Sequence, residues 1–414
     1  MLGTCQVVVQ KTSAVPAPVL HSCWSGTLAR MFGLWPQLVD GRSAPLLAAA
    51  ATVKPSDLPA IARLRRDWPA PLVAAALELT IARRKAAEKF EHPEQIVADV
   101  AGVEQATSLD VARHKARRFA ETGAGLVLDL CCGIGGDSTA LAQVAAVLMV
   151  DRDPVKAWMA RRNVGSPAAV ADVTRLRLRG RPFHLDPSRR SGGRRKWRYE
   201  EYEPGPAFIK EIARGDGAVK LSPGVEFEKL PPGEVEVIQR RGTLVQAVLW
   251  TGRLAHHPRT ATRIDDNQIL HGVPDQPIPI EPSQRYLYTV DPVVERAGLM
   301  GELCRRMNLP AIHPALALLS SNRLLSDPWL TPFELLESMP WRPRKVKQWL
   351  TAHNAGVVEV KTRGGAVDPD EAQRVLRGQG KVPFTVFVLR FGAKIQALIT
   401  RRKKGDIILL GFAG

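Results

Sequence analysis

Residues Val127–Asp137 read VLDLCCGIGGD, an apolar run that ends on an acid and leads straight into a glycine turn. The run is short and begins with a β-branched residue, which predicts a buried parallel strand. Asp137, followed by STALA, predicts the capped start of a helix. Glycine lacks a Cβ, so such a turn lets the backbone come close to a ligand. Strand, glycine turn and helix together predict the opening unit of a nucleotide-binding α/β sheet.

Further acids end the next predicted strands. Asp151 follows the strand Ala146–Val150 and lies 22 residues after Asp129, where a carboxylate can accept hydrogen bonds from both ribose hydroxyls. Asp172 ends a third short strand, and Asp186 opens the motif DPSRR. A glycine turn alone is shared by NAD, FAD and S-adenosylmethionine sites and by plain structural turns. An enzyme that transfers hydride has no need of the last motif, so the series favours S-adenosylmethionine.

The series resembles the class I S-adenosylmethionine-dependent methyltransferases, which have a Rossmann-like α/β sheet. By that resemblance the cofactor-binding residues are Asp129, Gly133 and Gly135 for the methionine end, Asp151 for the ribose and Asp172 for the adenine edge. The resemblance also implies that Asp186 and Pro187 are the catalytic residues and face the methyl acceptor.

The positive charge of the chain, +17 in total, is confined to two patches. Residues 338–404 carry fifteen Lys and Arg against four acids, and residues 189–198 carry six basic residues and no acid. These patches account for the whole net charge, whereas an ordinary solvated surface mixes both signs. Concentrated basic patches on an otherwise neutral chain indicate a polyanionic partner, of which nucleic acid is the obvious one.

The basic segment 189–198 follows the strand that ends at Asp186, and open α/β sheets bind ligands at that carboxyl edge. A solvated loop is the ordinary interpretation of such a run. Its position favours phosphate clamping beside the reacting nucleotide. The candidate substrate-binding residues are therefore Arg189, Arg190, Arg194 and Arg195, together with Lys220.

The acceptor motif departs from the pattern of enzymes that methylate exocyclic amines. Those enzymes usually have Asp-Pro-Pro and an aromatic residue, whereas residues 186–189 read DPSR. The acid and the first proline are kept, so an acceptor pair for amine hydrogens stays possible. Stacking on a base would have to come from another side chain, with Trp197, Tyr199 or Arg189 as candidates.

The same residues bear on two other possible methyl acceptors. Methylation of a ribose 2′-hydroxyl commonly uses a lysine with acids, and Asp186, Lys220 and Glu236 end successive predicted strands in a compatible order. Carbon-5 methylation of a pyrimidine needs a cysteine nucleophile, and no cysteine follows Asp186 before Cys304. We therefore disfavour carbon-5 methylation, and base nitrogen and ribose hydroxyl both remain open.

Helical and mixed segments are predicted on either side of the sheet. The hairpin EVEVIQRRGTLVQAVLWTG, with its turn at Arg241-Gly242, is expected to close the sheet near Gly252. The expected divisions are a disordered N-terminal extension over 1–40, a helical domain over 41–120, the methyltransferase domain over 121–260, a Pro-rich linker over 261–284 and a small α+β domain over 285–414.

The composition indicates the cellular compartment and bears on whether the protein spans a membrane or binds a metal. Five cysteines show no paired spacing and two of them lie in the glycine turn, which predicts a reducing compartment, the cytoplasm. No apolar run approaches the ~20 residues that a membrane span needs. His256 and His257 have no other ligands at metal-binding spacing. We therefore expect neither a membrane segment nor a metal.

Most of the chain looks like the bacterial methyltransferase family that carries a THUMP-like domain, from RRKAAEKF through DPSRR and VKLSPG to the basic C-terminal segment. The resemblance implies an S-adenosylmethionine-dependent methyltransferase that acts on structured RNA, either rRNA or tRNA. One alternative is a non-catalytic RNA-binding or assembly factor on the same fold. Another is a methyltransferase with a protein or small-molecule acceptor. The intact acid series argues against the first alternative, and the concentrated charge against the second.

Overall fold

The computed structural model describes residues 26–178, 180–188, 190–191, 194–195, 198–313, 316–363 and 365–403. The chain divides into two compact units, one made of Met1–Ala87 with His92–Gln105 and the other of Glu88–Glu91 with Ala106–Gly414. Within the described residues, no helix is both long and apolar enough to span a bilayer.

The described part of the first unit is helical. Its helices are α1 (Gly26–Val39), α2 (Ala44–Thr52), α3 (Leu58–Asp67), α4 (Ala70–Ala86) and α5 (Val100–Gln105). Helix α4 buries an apolar side and contacts the other four helices. Helix α1 lies in the segment that we expected to be disordered, and its Trp35 and Leu38 are buried. The basic residues of α4 are partly used inside this unit, since Arg83 donates to the carbonyl of Ile96 and Lys85 pairs with Glu104.

The second unit contains the expected α/β sheet. Its strands are β1 (Leu126–Leu130), β2 (Ala146–Asp151), β3 (Ala168–Val170), β4 (Phe183–Leu185), the separate short pair β5 (Arg190–Ser191) and β6 (Arg194–Arg195), then β7 (Gly217–Leu221), β8 (Glu234–Arg240), β9 (Thr243–Thr251), β10 (Arg259–Arg263) and β11 (Gln268–Gly272). The helices of this part are α6 (Leu109–Glu121), α7 (Ser138–Leu141), α8 (Pro154–Val164) and α9 (Pro206–Ile212).

The strand order of this sheet is β11-β10-β8-β9-β7-β4-β1-β2-β3. Strands β3, β2, β1, β4 and β7 run parallel, and β9 is antiparallel to both of its neighbours. The carboxyl ends of the parallel strands therefore lie at one edge of the sheet, where doubly wound folds bind ligands. This arrangement confirms the predicted Rossmann-like sheet.

The predicted hairpin is present, but the sheet does not end with it. Arg241 (φ 49°) and Gly242 (φ 71°) both have positive φ, as a two-residue type I′ turn requires. Beyond Gly252, β10 pairs in parallel with β8 and β11 pairs antiparallel with β10. The sequence RTATR of β10 is short and polar, so no apolar pattern marks it as a strand. Part of the expected linker over 261–284 therefore belongs to the sheet.

A layer of buried charged groups lies between helix α6 and the sheet. His114 Nε2 is 2.7 Å from Glu236 Oε1, and Arg118 donates to Glu234 at 2.7 Å. Both glutamates are fully buried. Trp250 Nε1 also donates to Glu236, at 2.8 Å. The threonine hydroxyls of β10 donate to the same two carboxylates, which explains why this polar strand joins the sheet.

The rest of the second unit is a mixed α+β region. Its elements are β12 (Tyr286–Val290), α10 (Pro292–Arg296), α11 (Met300–Met307), β13 (Leu318–Ser321), β14 (Leu330–Pro340), α12 (Pro343–Ala352), β15 (Ala355–Arg363), α13 (Pro369–Leu376), β16 (Val382–Phe391) and β17 (Lys394–Arg402). The strands form a six-stranded sheet in the order β13-β12-β14-β17-β16-β15. Helices α12 and α13 bury Val346, Leu350 and Leu376 in one core with β15, β16 and β17.

We predict that Glu236 makes stability depend on acid pH. Burial opposes ionisation of Glu236, but His114 and Arg118 outweigh it and lower its pKa from 4.5 to about 2. Because the folded-state pKa is depressed, the contribution is complete above about pH 4.5 and is lost as the pH falls towards 2. Glu236→Gln should cost on the order of 3 kcal/mol at neutral pH.

Urea unfolding followed by circular dichroism at several acid pH values checks this prediction. The unfolding free energy of Glu236→Gln should vary less with pH than that of the wild type. Glu211→Gln, which changes an exposed acid of α9, is the matched control and should behave as the wild type does. Equal slopes for Glu236→Gln and the wild type would contradict the prediction.

Candidate functional site

The glycine turn after β1 is tied to the end of β2. Gly133 has φ +55°, and its backbone N–H donates to Asp151 Oδ2 at 2.9 Å. The N–H of Asp153 donates to the other oxygen of the same carboxylate at 2.9 Å. Burial raises the pKa of Asp151. Asp151 is therefore held at the carboxyl edge of the sheet, beside the turn.

Two glycines of the turn are needed for different physical reasons. A Cβ on Gly135 (φ +87°) would lie 2.7 Å from Val164 Cγ2 and 3.3 Å from Ala160 Cα, so this glycine lets the turn pack against α8. A Cβ on Gly133 would meet nothing within 4 Å. The open space in front of the turn is therefore at Gly133. The sequence did not separate these roles.

A buried chain of polar groups lies behind the turn. Asp129 Oδ1 is 2.8 Å from His184 Nδ1, and Asp129 Oδ2 accepts from the hydroxyl of Ser138. His184 Nε2 is 3.0 Å from Lys115 Nζ, which lies 2.6 Å from Asp137 Oδ1. We call Asp129, Ser138, His184, Lys115 and Asp137 the buried polar network. It connects β1, β4 and α6 to the end of the glycine turn.

The hydrogen bonds fix the proton positions in the buried polar network. An ammonium group only donates, so His184 Nε2 accepts from Lys115 and Nδ1 donates to Asp129. His184 is thus the neutral tautomer protonated at Nδ1. Burial opposes the ionisation of Asp137, but the charges of Lys115 and Lys220 outweigh it and hold the pKa of Asp137 well below its usual range.

Sequence reasoning missed the roles of Lys115, Asp137 and His184. The sequence predicts that Asp137 caps a helix, but its side chain accepts from Thr107 at 2.7 Å and pairs with Lys115 instead. Lys115 lies in the segment 113–118, which carries four Lys and Arg, a pattern typical of a solvated helix face, yet it is 1% exposed. A histidine inside the apolar strand FHL, two residues before Asp186, was the available signal.

Asp186 and Lys220 lie together at the carboxyl edge of the sheet. Lys220 Nζ, on β7, donates to Asp186 Oδ2 at 2.7 Å. The side chain of Lys220 is 8% exposed and that of Asp186 is 29% exposed, so the pair reaches the surface through the acid. Ser188 and Glu203 exchange backbone hydrogen bonds of 2.7 and 3.1 Å. The chain is therefore paired on either side of the basic segment, at Ser188 before it and at Glu203 after it.

The other predicted residues have varied positions. Asp172 is an exposed helix cap that accepts from Thr174. Glu236 is buried in the layer under α6 and bonded to residues other than Asp186 and Lys220. Tyr199, proposed for base stacking, is buried in the core.

Most of the basic segment has no described side chains. Arg189 and Trp197 lie outside the described residues. Arg190, Arg194 and Arg195 belong to the short antiparallel pair β5–β6 as backbone. In the described part of the chain, no group of three or more His, Cys, Asp or Glu side chains could hold a metal ion.

Comparison with known proteins gives consistent results. Residues 330–402 match the family model described as a THUMP domain-like domain. Two proteins named uncharacterized S-adenosylmethionine-dependent methyltransferases, from two strains of Mycobacterium tuberculosis, are each 35% identical over 337 residues, which is 77% of this chain and 92% of theirs. A crystal structure of a putative methyltransferase from Porphyromonas gingivalis has the same fold, with a TM-score of 0.66 at 18% identity over 91% of this chain and 99% of that one. The chain belongs to the family of S-adenosylmethionine-dependent methyltransferases with a C-terminal THUMP-like domain.

Proposed function

We propose that this methyltransferase modifies structured RNA, rRNA or tRNA, and that the Asp186–Lys220 pair orients the acceptor. The observation that carries the proposal is the 2.7 Å contact of Lys220 with Asp186 directly before the basic segment. The site combines a partly exposed carboxylate, a buried ammonium and a run of arginines. This combination suits a methyl acceptor that is attached to a phosphate backbone.

The residues around the glycine turn fit S-adenosylmethionine. The open space at Gly133 allows close approach to the backbone, and Asp151 offers a fixed carboxylate for ribose hydroxyls. Asp172, exposed after β3, would contact the adenine edge. When bound, the cofactor supplies an electrophilic methyl group on a sulfonium. Asp129 already bonds Ser138 and His184, so we propose that it holds the turn in shape beneath the methionine end.

We propose that Asp186 accepts a hydrogen bond from the amine or hydroxyl of the acceptor. Lys220 fixes the Asp186 carboxylate through one oxygen and balances its charge. A carboxylate held in place in this way stabilises the positive charge that develops on the methyl acceptor as it gains a methyl group. We propose that the backbone carbonyl of Asp186, which Pro187 follows directly, faces the same methyl acceptor.

The distribution of positive charge supports RNA as the substrate. Exposed basic residues of the THUMP-like region include Arg344, Lys345, Arg390, Lys394, Arg401 and Arg402. Helix α12 contains three basic residues and no acid. Counterion release from RNA phosphates would then supply much of the affinity. A protein or small-molecule acceptor would not need this second patch, far along the sequence from the acceptor motif.

We predict that Gly133→Val abolishes cofactor binding, because its side chain would fill the open space in front of the turn. Isothermal titration calorimetry with S-adenosylmethionine checks this, with the melting temperature measured in parallel. Gly242→Val is the matched control, since Gly242 also has positive φ and open space but lies in the β8–β9 turn. Normal binding by Gly133→Val would place the cofactor elsewhere.

We predict that Asp186→Ala still binds S-adenosylmethionine and S-adenosylhomocysteine but loses methyl transfer by about 100-fold or more, as is typical when a transition-state contact is removed. The measurement uses tritiated methyl donor and total RNA from a strain in which the gene is deleted. Glu211→Ala, an exposed change on α9, is the control. Full turnover by Asp186→Ala would move the acceptor site. No transfer to RNA even by the wild type would favour the assembly factor or a non-RNA acceptor.

We predict that RNA affinity falls steeply with salt and depends on the THUMP-like region. Reversing the charge of the exposed residues Arg401 and Arg402 to Glu should weaken binding and flatten the plot of log affinity against log salt. Lys210→Glu, on exposed α9, is the matched charge-reversal control. Filter binding of the same RNA provides the measurement. A wild-type affinity that barely changes with salt would argue against a polyanionic substrate.

A further inference from the structure

We propose that the buried polar network sets the preference of this enzyme for the positively charged cofactor over its uncharged product. S-adenosylmethionine carries a sulfonium that S-adenosylhomocysteine lacks, so the two ligands differ by one methyl group and one positive charge. A site with surplus negative charge binds the first more tightly than the second. The proposal rests on the cofactor position given above, and Lys115 and Asp137 act in it as positioning residues.

The charges around the turn do not cancel. In the buried polar network, Asp129 and Asp137 are opposed by Lys115 alone, because His184 is the neutral tautomer. The network therefore carries one surplus negative charge. Lys220 and Asp186 balance each other, and Asp151 adds a further carboxylate at the end of β2. Arg152, the nearest arginine in sequence, is largely exposed and pairs with Glu203.

The surplus negative charge affects a side chain in the turn itself. Cys131 lies between the strand and the glycines with φ 58°. The pKa of its thiol is raised, first by burial and then by the negative charges of Asp151, Asp186 and Asp129. The same field that opposes a thiolate at this position favours a cation brought close to the turn.

Packing alone does not account for the network. Burying an ion pair is costly, and replacing it with apolar side chains of similar size is often neutral or stabilising. Lys115 and Asp137 are 1% and 7% exposed, and their pair leaves Asp129 without an opposing charge of its own. A purely structural role would be served by a balanced or apolar layer. The surplus negative charge is balanced when a cationic ligand binds and supplies the missing positive charge.

The test compares two dissociation constants, those of S-adenosylmethionine and S-adenosylhomocysteine, by titration calorimetry with the full chain. Asp137→Asn removes the surplus charge and should reduce the ratio that favours S-adenosylmethionine by about five- to tenfold. The double variant Lys115→Met with Asp137→Asn removes both charges, which restores the surplus of one. Its ratio should return to within about twofold of the wild-type value. Sinefungin, which has an ammonium in place of the sulfonium, should follow S-adenosylmethionine in every variant.

An electrostatic role and a purely structural role of the buried polar network predict different results in this test. A structural role predicts that the double variant is at least as impaired as Asp137→Asn, and that both ligands weaken together. An unchanged ratio in Asp137→Asn, or no recovery in the double variant, would overturn the proposal. If Asp137→Asn does not fold, Asp129→Asn replaces it: this variant also removes the surplus and keeps the Lys115–Asp137 pair, so its ratio must fall, and an unchanged or higher ratio overturns the proposal. Failure of the cofactor position itself is recognised separately, because Gly133→Val would then bind normally.

Discussion

The burial of charged side chains under helix α6 is the constraint on which the second unit depends. Helix α6 provides three side chains, Lys115, His114 and Arg118, that pair with three different partners on the sheet and its turn. Removing one partner of a buried ion pair costs about 3 to 5 kcal/mol, because the other charge stays buried and unpaired. Every pair must therefore form at once, and this fixes the position and rotation of α6. The glycine turn is held in the same way, through Asp137 and Asp129.

Much of the fold could be predicted from the sequence because its signals are local. The strand and turn at Val127–Asp137 and the hairpin at Arg241-Gly242 depend on residues within a few positions of each other. Four of the five parallel strands, all except β7, have an acid at or near their carboxyl end, and parallel strands bring these ends to one edge of the sheet. By this rule we expected Asp186, Lys220 and Glu236 to lie together; Lys220 does contact Asp186, but Glu236 is buried under α6 instead.

What the sequence did not reveal depends on partners far along the chain. Strand β10 is polar because its threonines bond glutamates of β8, and a polar five-residue segment carries no strand pattern of its own. In the sequence, Lys115 is indistinguishable from the exposed Arg117, and its partners His184 and Asp137 come from β4 and the glycine turn, far along the chain. Likewise, only the position of α8 shows that Gly135 serves packing while Gly133 faces open space.

A crystal structure of the full chain with S-adenosylhomocysteine tests the central claim most directly. We expect the homocysteine backbone over Gly133, the ribose hydroxyls on Asp151, and the sulfur directed towards the Asp186–Lys220 pair. The buried polar network should keep its hydrogen bonds in that complex. A ligand bound away from this edge of the sheet, or bound there with its sulfur directed away from Asp186, would contradict the account.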